Sequence, residues 1–398
     1  MDKAVIIKHL GYILLFNALF LYISAIVSFS FHETSAIPLL YTAMVCTIFG
    51  LFPLIFSEPT EYLNFAEGLS IVVIGWMLTC VVGMLPYFMW GGEFTLTNAW
   101  FESVSGYTTT GSTILNDIES LPKGLLLWRS LTHWIGGIGI ILFVLLILPQ
   151  SRHSRIVIYN TEISDISKMN FKLRARQIVQ VLALVYVSLT FAETLILTLQ
   201  GMSFFDALTH SFATIATGGF SPKNMSIAAF DDVGMEITIM VFMLISGIHF
   251  GLIFGTIIGR KQNILNSSIA KAFLSVVLIG VLITALKLYF SGYYGWWESL
   301  RRGAFQIISV GTTTGFATAD TADWPVITRI LIIYFTIQCA MVGSTSGGLK
   351  FDRVYMFFKS VAKQVKLLQH PHGVFATRME KQSISERLEQ QTMVFIIL

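Results

Sequence analysis

The chain has 398 residues, 54% hydrophobic and only 12% charged, with a formal net charge of +3 and a mean hydropathy of +0.71. Soluble domains carry about 25% charged residues, so a water-facing surface built from this chain would be too apolar to stay dissolved, and the bilayer is the expected solvent. The near-neutral charge excludes a nucleic-acid footprint. Cys46, Cys80 and Cys339 each lie in an apolar run with no CxxC pair, so they give no disulfide framework and read as small packing residues.

The first apolar run, about 10–31, is too long for a signal-peptide core and has no small-residue cleavage site. It reads as a membrane helix whose preceding Lys3 and Lys8 hold the N-terminus in the cytoplasm. Crossing the hydrocarbon core takes roughly 20 helical residues. Runs of that length follow at about 37–56, 68–90, 122–149, 177–200, 234–258, 267–290 and 325–343. Between them lie half-length segments at about 95–107, 203–215 and 298–311, each followed by a Thr- and Gly-rich stretch. A segment too short to span, returning as a loop, predicts a re-entrant pore helix. Irregular backbone survives at membrane depth only when buried in protein or lining water.

The three loops read Thr108-Thr109-Thr110-Gly111-Ser112, Ile215-Ala216-Thr217-Gly218-Gly219-Phe220 and Thr312-Thr313-Thr314-Gly315-Phe316. Aligning their Thr-Gly steps on Gly111, Gly218 and Gly315 gives separations of 218 − 111 = 107 and 315 − 218 = 97. A period near 100 residues predicts tandem pseudosymmetric repeats. The expected fold is an all-α polytopic membrane protein of helix–pore helix–helix units, with two extra N-terminal helices. The expected divisions are an N-terminal segment at 1–66, repeats at 67–150, 175–260 and 267–368, and a linker with the start of a further repeat at 369–398.

Arg152, Arg155, Lys168, Lys172, Arg174 and Arg176 follow the first repeat, Arg260, Lys261 and Lys271 the second, and Lys350, Arg353, Lys359, Lys363 and Lys366 the third. The positive-inside rule puts these loops in the cytoplasm, so the Thr-Gly loops enter from outside. The 57–67 loop carries only Glu58, Glu61 and Glu67, which count little in that rule.

Thr109, Thr110, Gly111, Ala216, Thr217, Gly218, Thr313, Thr314 and Gly315 are the candidate ion-binding residues. A dehydrated cation needs a ring of backbone carbonyls in place of its water. Glycine lets successive carbonyls turn inward, and threonine adds a hydroxyl acceptor. The C-terminal dipole end of each half helix favours a cation.

With Phe101-Glu102-Ser103 ahead of the first loop, the run Ser211–Ser221, and Gly343-Ser344-Thr345-Ser346-Gly347-Gly348-Leu349-Lys350, the chain resembles the Trk/Ktr superfamily of potassium transporters. Within it, the two extra N-terminal helices favour the Trk-type (TrkH-like) membrane subunit. The resemblance implies potassium uptake across the bacterial inner membrane, four repeats around one pore, homodimerisation, and a cytosolic nucleotide-binding regulatory subunit (TrkA-like). Potassium is the expected transported ion, no covalently bound cofactor is expected, nucleotide is expected only on that partner, and no enzymatic activity is expected. The family's fourth filter loop would fall near 415, beyond Leu398. The 398-residue sequence is therefore expected either to lack selective uptake alone or to be a non-conducting relic or scaffold.

The resemblance makes Gly343, Ser344, Thr345, Ser346, Gly347 and Gly348 an intramembrane gating loop. On residues alone, a glycine-capped helix end remains open. Lys359, Lys363 and Lys366 share a helical face, read either as a membrane-edge face or as a docking surface. Of the ionisable residues inside spans, Lys287 is expected to snorkel, and Glu193 to line an ion path or pair between helices. His133 and His249 form no metal-ligand spacing. Glu102, Glu298, Arg301 and Arg302 are expected to shape packing and field rather than bind the ion.

Overall fold

The computed structural model describes residues 2–56, 65–147, 175–370, 373, 375–380 and 382–397. The basic residues 152–174 and the acidic pair Glu58 and Glu61 lie outside the described residues.

Apolar helices dominate. In chain order they are α1 (Lys3–Ser30), α2 (Ala36–Phe56), α3 (Phe65–Trp90), α4 (Leu96–Tyr107), α5 (Lys123–Ile147), α6 (Ala175–Leu199), α7 (Phe204–Ile215), α8 (Val233–Ser246), α9 (Phe250–Ile257), α10 (Ser268–Phe290), α11 (Trp296–Gly311), α12 (Val326–Ile337) and α13 (Phe351–Gln369). A two-residue hairpin, β1 (Arg378–Met379) and β2 (Gln382–Ser383), precedes α14 (Glu386–Ile397). Among the described residues, five helices are long and apolar enough to cross a membrane: α1, α2, α3, α6 and α10. Their outward faces carry residues such as Ile26, Phe49, Met77, Phe191 and Leu278, all more than 50% exposed, as a lipid-facing surface requires.

The half-length helices fall where composition predicts, and two start on a side-chain cap. Thr95 accepts from Asn98 N–H and Ser203 from Asp206 N–H, satisfying donors that helix formation leaves orphaned. The expected span at 234–258 is instead two helices, α8 and α9, bent by 105°. The expected span at 325–343 stops at Ile337.

The chain divides into two compact units. The first comprises Met1–Phe242 with Thr314–Ala317. In it α1 packs along α2, α3 and α5, and α7 lies between α5 and α6. Its core gathers Leu21, Leu39, Tyr107, Leu125 and Trp128. Tyr107, at the end of the first pore helix, donates to Asn17 Oδ1 at 2.5 Å, tying that helix to α1. Glu33, in the α1–α2 turn, accepts from Lys123 N–H at 2.8 Å and Gly124 N–H at 3.0 Å. It thereby caps α5 from a distance and complements its dipole. Glu33→Ala is expected to destabilise the first unit by about 1 kcal/mol, read as a lower thermal midpoint in detergent with the helical signal preserved. An unchanged midpoint would remove this role.

The second unit comprises Met243–Thr313 with Thr318–Leu398. Here α10 packs on α11, α12 and α13, and α13 pairs with α14. Lys359 Nζ donates to the Arg378 carbonyl at 2.8 Å and Lys363 pairs with Glu389 at 3.1 Å. Two of the three face-sharing lysines therefore hold the chain's own hairpin and last helix, which accounts for much of that face.

Candidate functional site

Each pore helix ends by the same hydrogen-bond sequence. Thr108, Ala216 and Thr312 donate back to the carbonyls of Val104, Phe212 and Ile308 at 2.9, 3.2 and 2.9 Å. The next residues, Thr109, Thr217 and Thr313, take left-handed φ of +53°, +53° and +59°. For a β-branched residue that is an outlier costing about 1–3 kcal/mol, found where the surroundings over-determine it. Thr110 and Gly218 then donate to Ser105 and Ala213 at 2.9 and 2.8 Å. A glycine at φ +78°, +81° and +83° completes each loop: Gly111, Gly219 and Gly315.

That backbone register corrects the alignment of the second loop by one residue. The counterpart of Thr109-Thr110-Gly111 is Thr217-Gly218-Gly219, so the separations become 219 − 111 = 108 and 315 − 219 = 96. Ala216 is the helix cap, equivalent to Thr108 and Thr312, and Gly218 fills the middle position that threonine holds elsewhere. Two adjacent glycines made the Thr-Gly step ambiguous.

Within the first unit the loops touch in series. A Cβ on Gly111 would collide with the carbonyl oxygen of Gly218, and one on Gly219 with that of Thr314. One on Gly315 would meet nothing within 4 Å. Behind the second loop, the His133 ring stacks on Phe220 at 4.0 Å and accepts its N–H at 3.4 Å. His133 is therefore a wall of the loop. Glu193 is wholly buried within α6, and Lys287 lies in the last turn of α10. Glu298 and Arg302 form an i,i+4 pair at 2.8 Å.

In the second unit, residues 338–350 leave the helical path between α12 and α13. Their neck is closed by Cys339 N–H to Leu349 O at 2.9 Å and Phe351 N–H to Ala340 O at 3.0 Å. Met341 N–H donates to Gly247 O and Phe250 N–H to Gly343 O, at 3.0 and 3.1 Å, so the loop docks on the break between α8 and α9. Val342 N–H donates to Asp352 Oδ2 at 2.7 Å, and Gly347 N–H reaches Thr313 Oγ1 at 3.0 Å. Gly343 and Gly348 hold φ of +79° and +61°. Because α12 ends in extended backbone at Gln338, the run from Gly343 is a folded loop and not a glycine cap.

One regularity escaped the sequence reading. Gly139, which breaks helical geometry inside α5 at φ +71°, stands 139 − 111 = 28 residues after its loop glycine. Gly247, at the α8–α9 break, and Gly343 keep the same spacing, 247 − 219 = 28 and 343 − 315 = 28. A glycine therefore recurs 28 residues after each loop glycine, at the kink in α5, at the α8–α9 break and inside the 338–350 loop that follows the end of α12 at Ile337. Spacing counted from the corrected glycines would have revealed it; hydropathy does not.

The fold and loops define an all-α, multi-pass membrane protein built on repeated helix–pore helix–helix units. The family model for TrkH, described as a cation transport protein, matches residues 39–398. The Trk system potassium uptake protein TrkH of Salmonella typhimurium is 38% identical over 327 residues, covering 81% of this chain and 68% of that protein. Its namesake in Vibrio parahaemolyticus is 30% identical over 390 residues, covering 96% and 80%. The crystal structure of the potassium transporter TrkH from Vibrio parahaemolyticus superposes with a TM-score of 0.88 at 27% identity, covering 100% of this chain and 83% of that one. The chain belongs to the TrkH family of cation transport proteins.

Proposed function

We propose that this chain serves potassium uptake across the bacterial cytoplasmic membrane. The ion passes a filter formed by the backbones of Thr109–Gly111, Thr217–Gly219 and Thr313–Gly315, and the loop around Gly343–Gly348 gates it. The observation that carries this reading is the threefold recurrence of one strained loop, a left-handed threonine followed two residues on by a left-handed glycine. Turning carbonyls in succession toward one line is what replacing an ion's hydration shell demands. The names of the relatives support potassium as the ion. The helix–pore helix–helix units are the functional divisions. Lys3 and Lys8 favour a cytoplasmic N-terminus, and the family resemblance supports a homodimer served by a nucleotide-binding regulatory subunit.

The test is growth and initial potassium uptake in a bacterial strain deprived of its own uptake systems. With the chain carried in a transporter that supplies the fourth repeat, restored growth at limiting potassium, with uptake favouring potassium over sodium, is the expected result. No restoration despite verified membrane insertion would overturn the proposal.

A further inference from the structure

We propose that the buried Glu102–Arg129 pair is a positioning device that sets ion discrimination by locking the outgoing limbs of the first and second filter loops to each other. Glu102 lies on α4 and Arg129 on α5, 0% and 2% exposed, with Arg129 Nε 2.5 Å from Glu102 Oε1. On one side, Thr113 Oγ1 donates to the Glu102 carboxylate at 3.0 Å and Ile114 N–H at 3.3 Å. Those residues stand two and three positions after Gly111. On the other side, Arg129 donates from a terminal nitrogen to the Ser221 carbonyl at 3.1 Å, and its guanidinium lies 3.7 Å over the Phe220 ring. Those residues follow Gly219. One ion pair therefore grips both limbs, each within three residues of a loop glycine.

The position is not arbitrary. Glu102 stands 108 − 102 = 6 residues before its helix cap, and His210 and Gln306 hold the same place, 216 − 210 = 6 and 312 − 306 = 6. His210 Nδ1 donates to Asp206 O at 2.7 Å, so Nε2 accepts from Ser221 Oγ at 2.9 Å. Gln306 donates to Ala319 O at 3.1 Å. Each of the three described repeats uses this side chain to hold its own outgoing limb. The first alone uses a carboxylate and adds an arginine that reaches the second loop. Ser221 becomes a junction gripped through its carbonyl by Arg129 and through its hydroxyl by His210.

A charged pair buried at membrane depth is costly to assemble, and packing alone is served as well by neutral side chains. What the charges add is short, directional bonds from a planar fork. Filter discrimination depends on carbonyl spacing, so stiffness there acts on the ratio of ions carried more than on total flux.

The inference rests on the filter reading, and the experiment separates the two. Initial potassium and sodium uptake are compared in the parent and in E102Q/R129Q, which removes both charges and leaves neither unpaired. The expected result is a double variant with near-parental thermal stability and sustained potassium uptake, whose potassium-to-sodium ratio falls about tenfold. A folded double variant with the parental ratio overturns the proposal. Should the double variant fail to accumulate, R129K decides: its ammonium keeps the charge but replaces the planar fork, which serves Glu102 and Ser221 from two separate nitrogens, with a single shorter-reaching one. It is expected to lower the ratio severalfold, and an unchanged ratio overturns the proposal equally. A parent without discrimination would instead sink the filter reading itself.

Discussion

Alanine at Gly219 is expected to cut potassium-selective uptake by about a hundredfold, against about tenfold for alanine at Gly315. Both glycines are left-handed, at φ +81° and +83°, and an L-residue there costs about 1–2 kcal/mol. With about 1.4 kcal/mol per factor of ten, strain alone accounts for the smaller effect. At Gly219 the new methyl would also drive into the Thr314 carbonyl oxygen, so that backbone must move and the carbonyl leaves its alignment. Gly111 should behave like Gly219, because its methyl meets the Gly218 carbonyl. Initial rates for potassium and sodium in the three variants, normalised to membrane-inserted protein, provide the check. Equal losses at all three positions would mean that contact with the next loop is irrelevant and only local strain counts.

Alanine at Gly343 is expected to raise potassium flux severalfold, and removal of 344–347 to raise it further. The docked loop is held by Met341–Gly247, Phe250–Gly343, Val342–Asp352 and Gly347–Thr313 hydrogen bonds, each worth about 0.5–1.5 kcal/mol net. A Cβ at Gly343 would sit 2.5 Å from His249 Cδ2, at a φ of +79°, which is enough to prise the loop from the α8–α9 break. Gly347→Ala supplies an internal control, since its Cβ would meet nothing within 4 Å and its φ is not left-handed; it should conduct like the parent. Rubidium efflux from proteoliposomes reads all three variants. Lower flux from the Gly343 variant at normal insertion would mean that the loop supports the pathway and does not obstruct it.

Composition and hydropathy located the membrane helices and the three half-length helices, because crossing a bilayer and stopping short of it impose different lengths. The loops that follow the half-length helices were legible from threonine and glycine after a short helix. The register within the second loop was not, because Thr217-Gly218-Gly219 satisfies two alignments and only backbone angles choose between them. The break at Gly247 was hidden in a predominantly apolar stretch of spanning length, 234–258, where Ser246, Gly247 and His249 do not by themselves distinguish a bent helix from a straight one. Arg129 lies deep in the 122–149 run, 27 residues from Glu102. An isolated arginine in a membrane span is a signal on its own, yet its partner becomes evident only when α4 and α5 are folded together.

The serial contact of the loops has a genetic counterpart. Because the glycine of one loop rests on the carbonyl of the next, damage done at Gly111 is expressed in the second loop, and damage at Gly219 in the third. Second-site revertants of a Gly111 variant should therefore map around Gly218 and its backing residue His133, and not among the neighbours of Gly111. Inheritance of the defect runs one way along the series of loops, so exchanging a single loop between relatives should fail unless the loop that receives its glycine is exchanged with it.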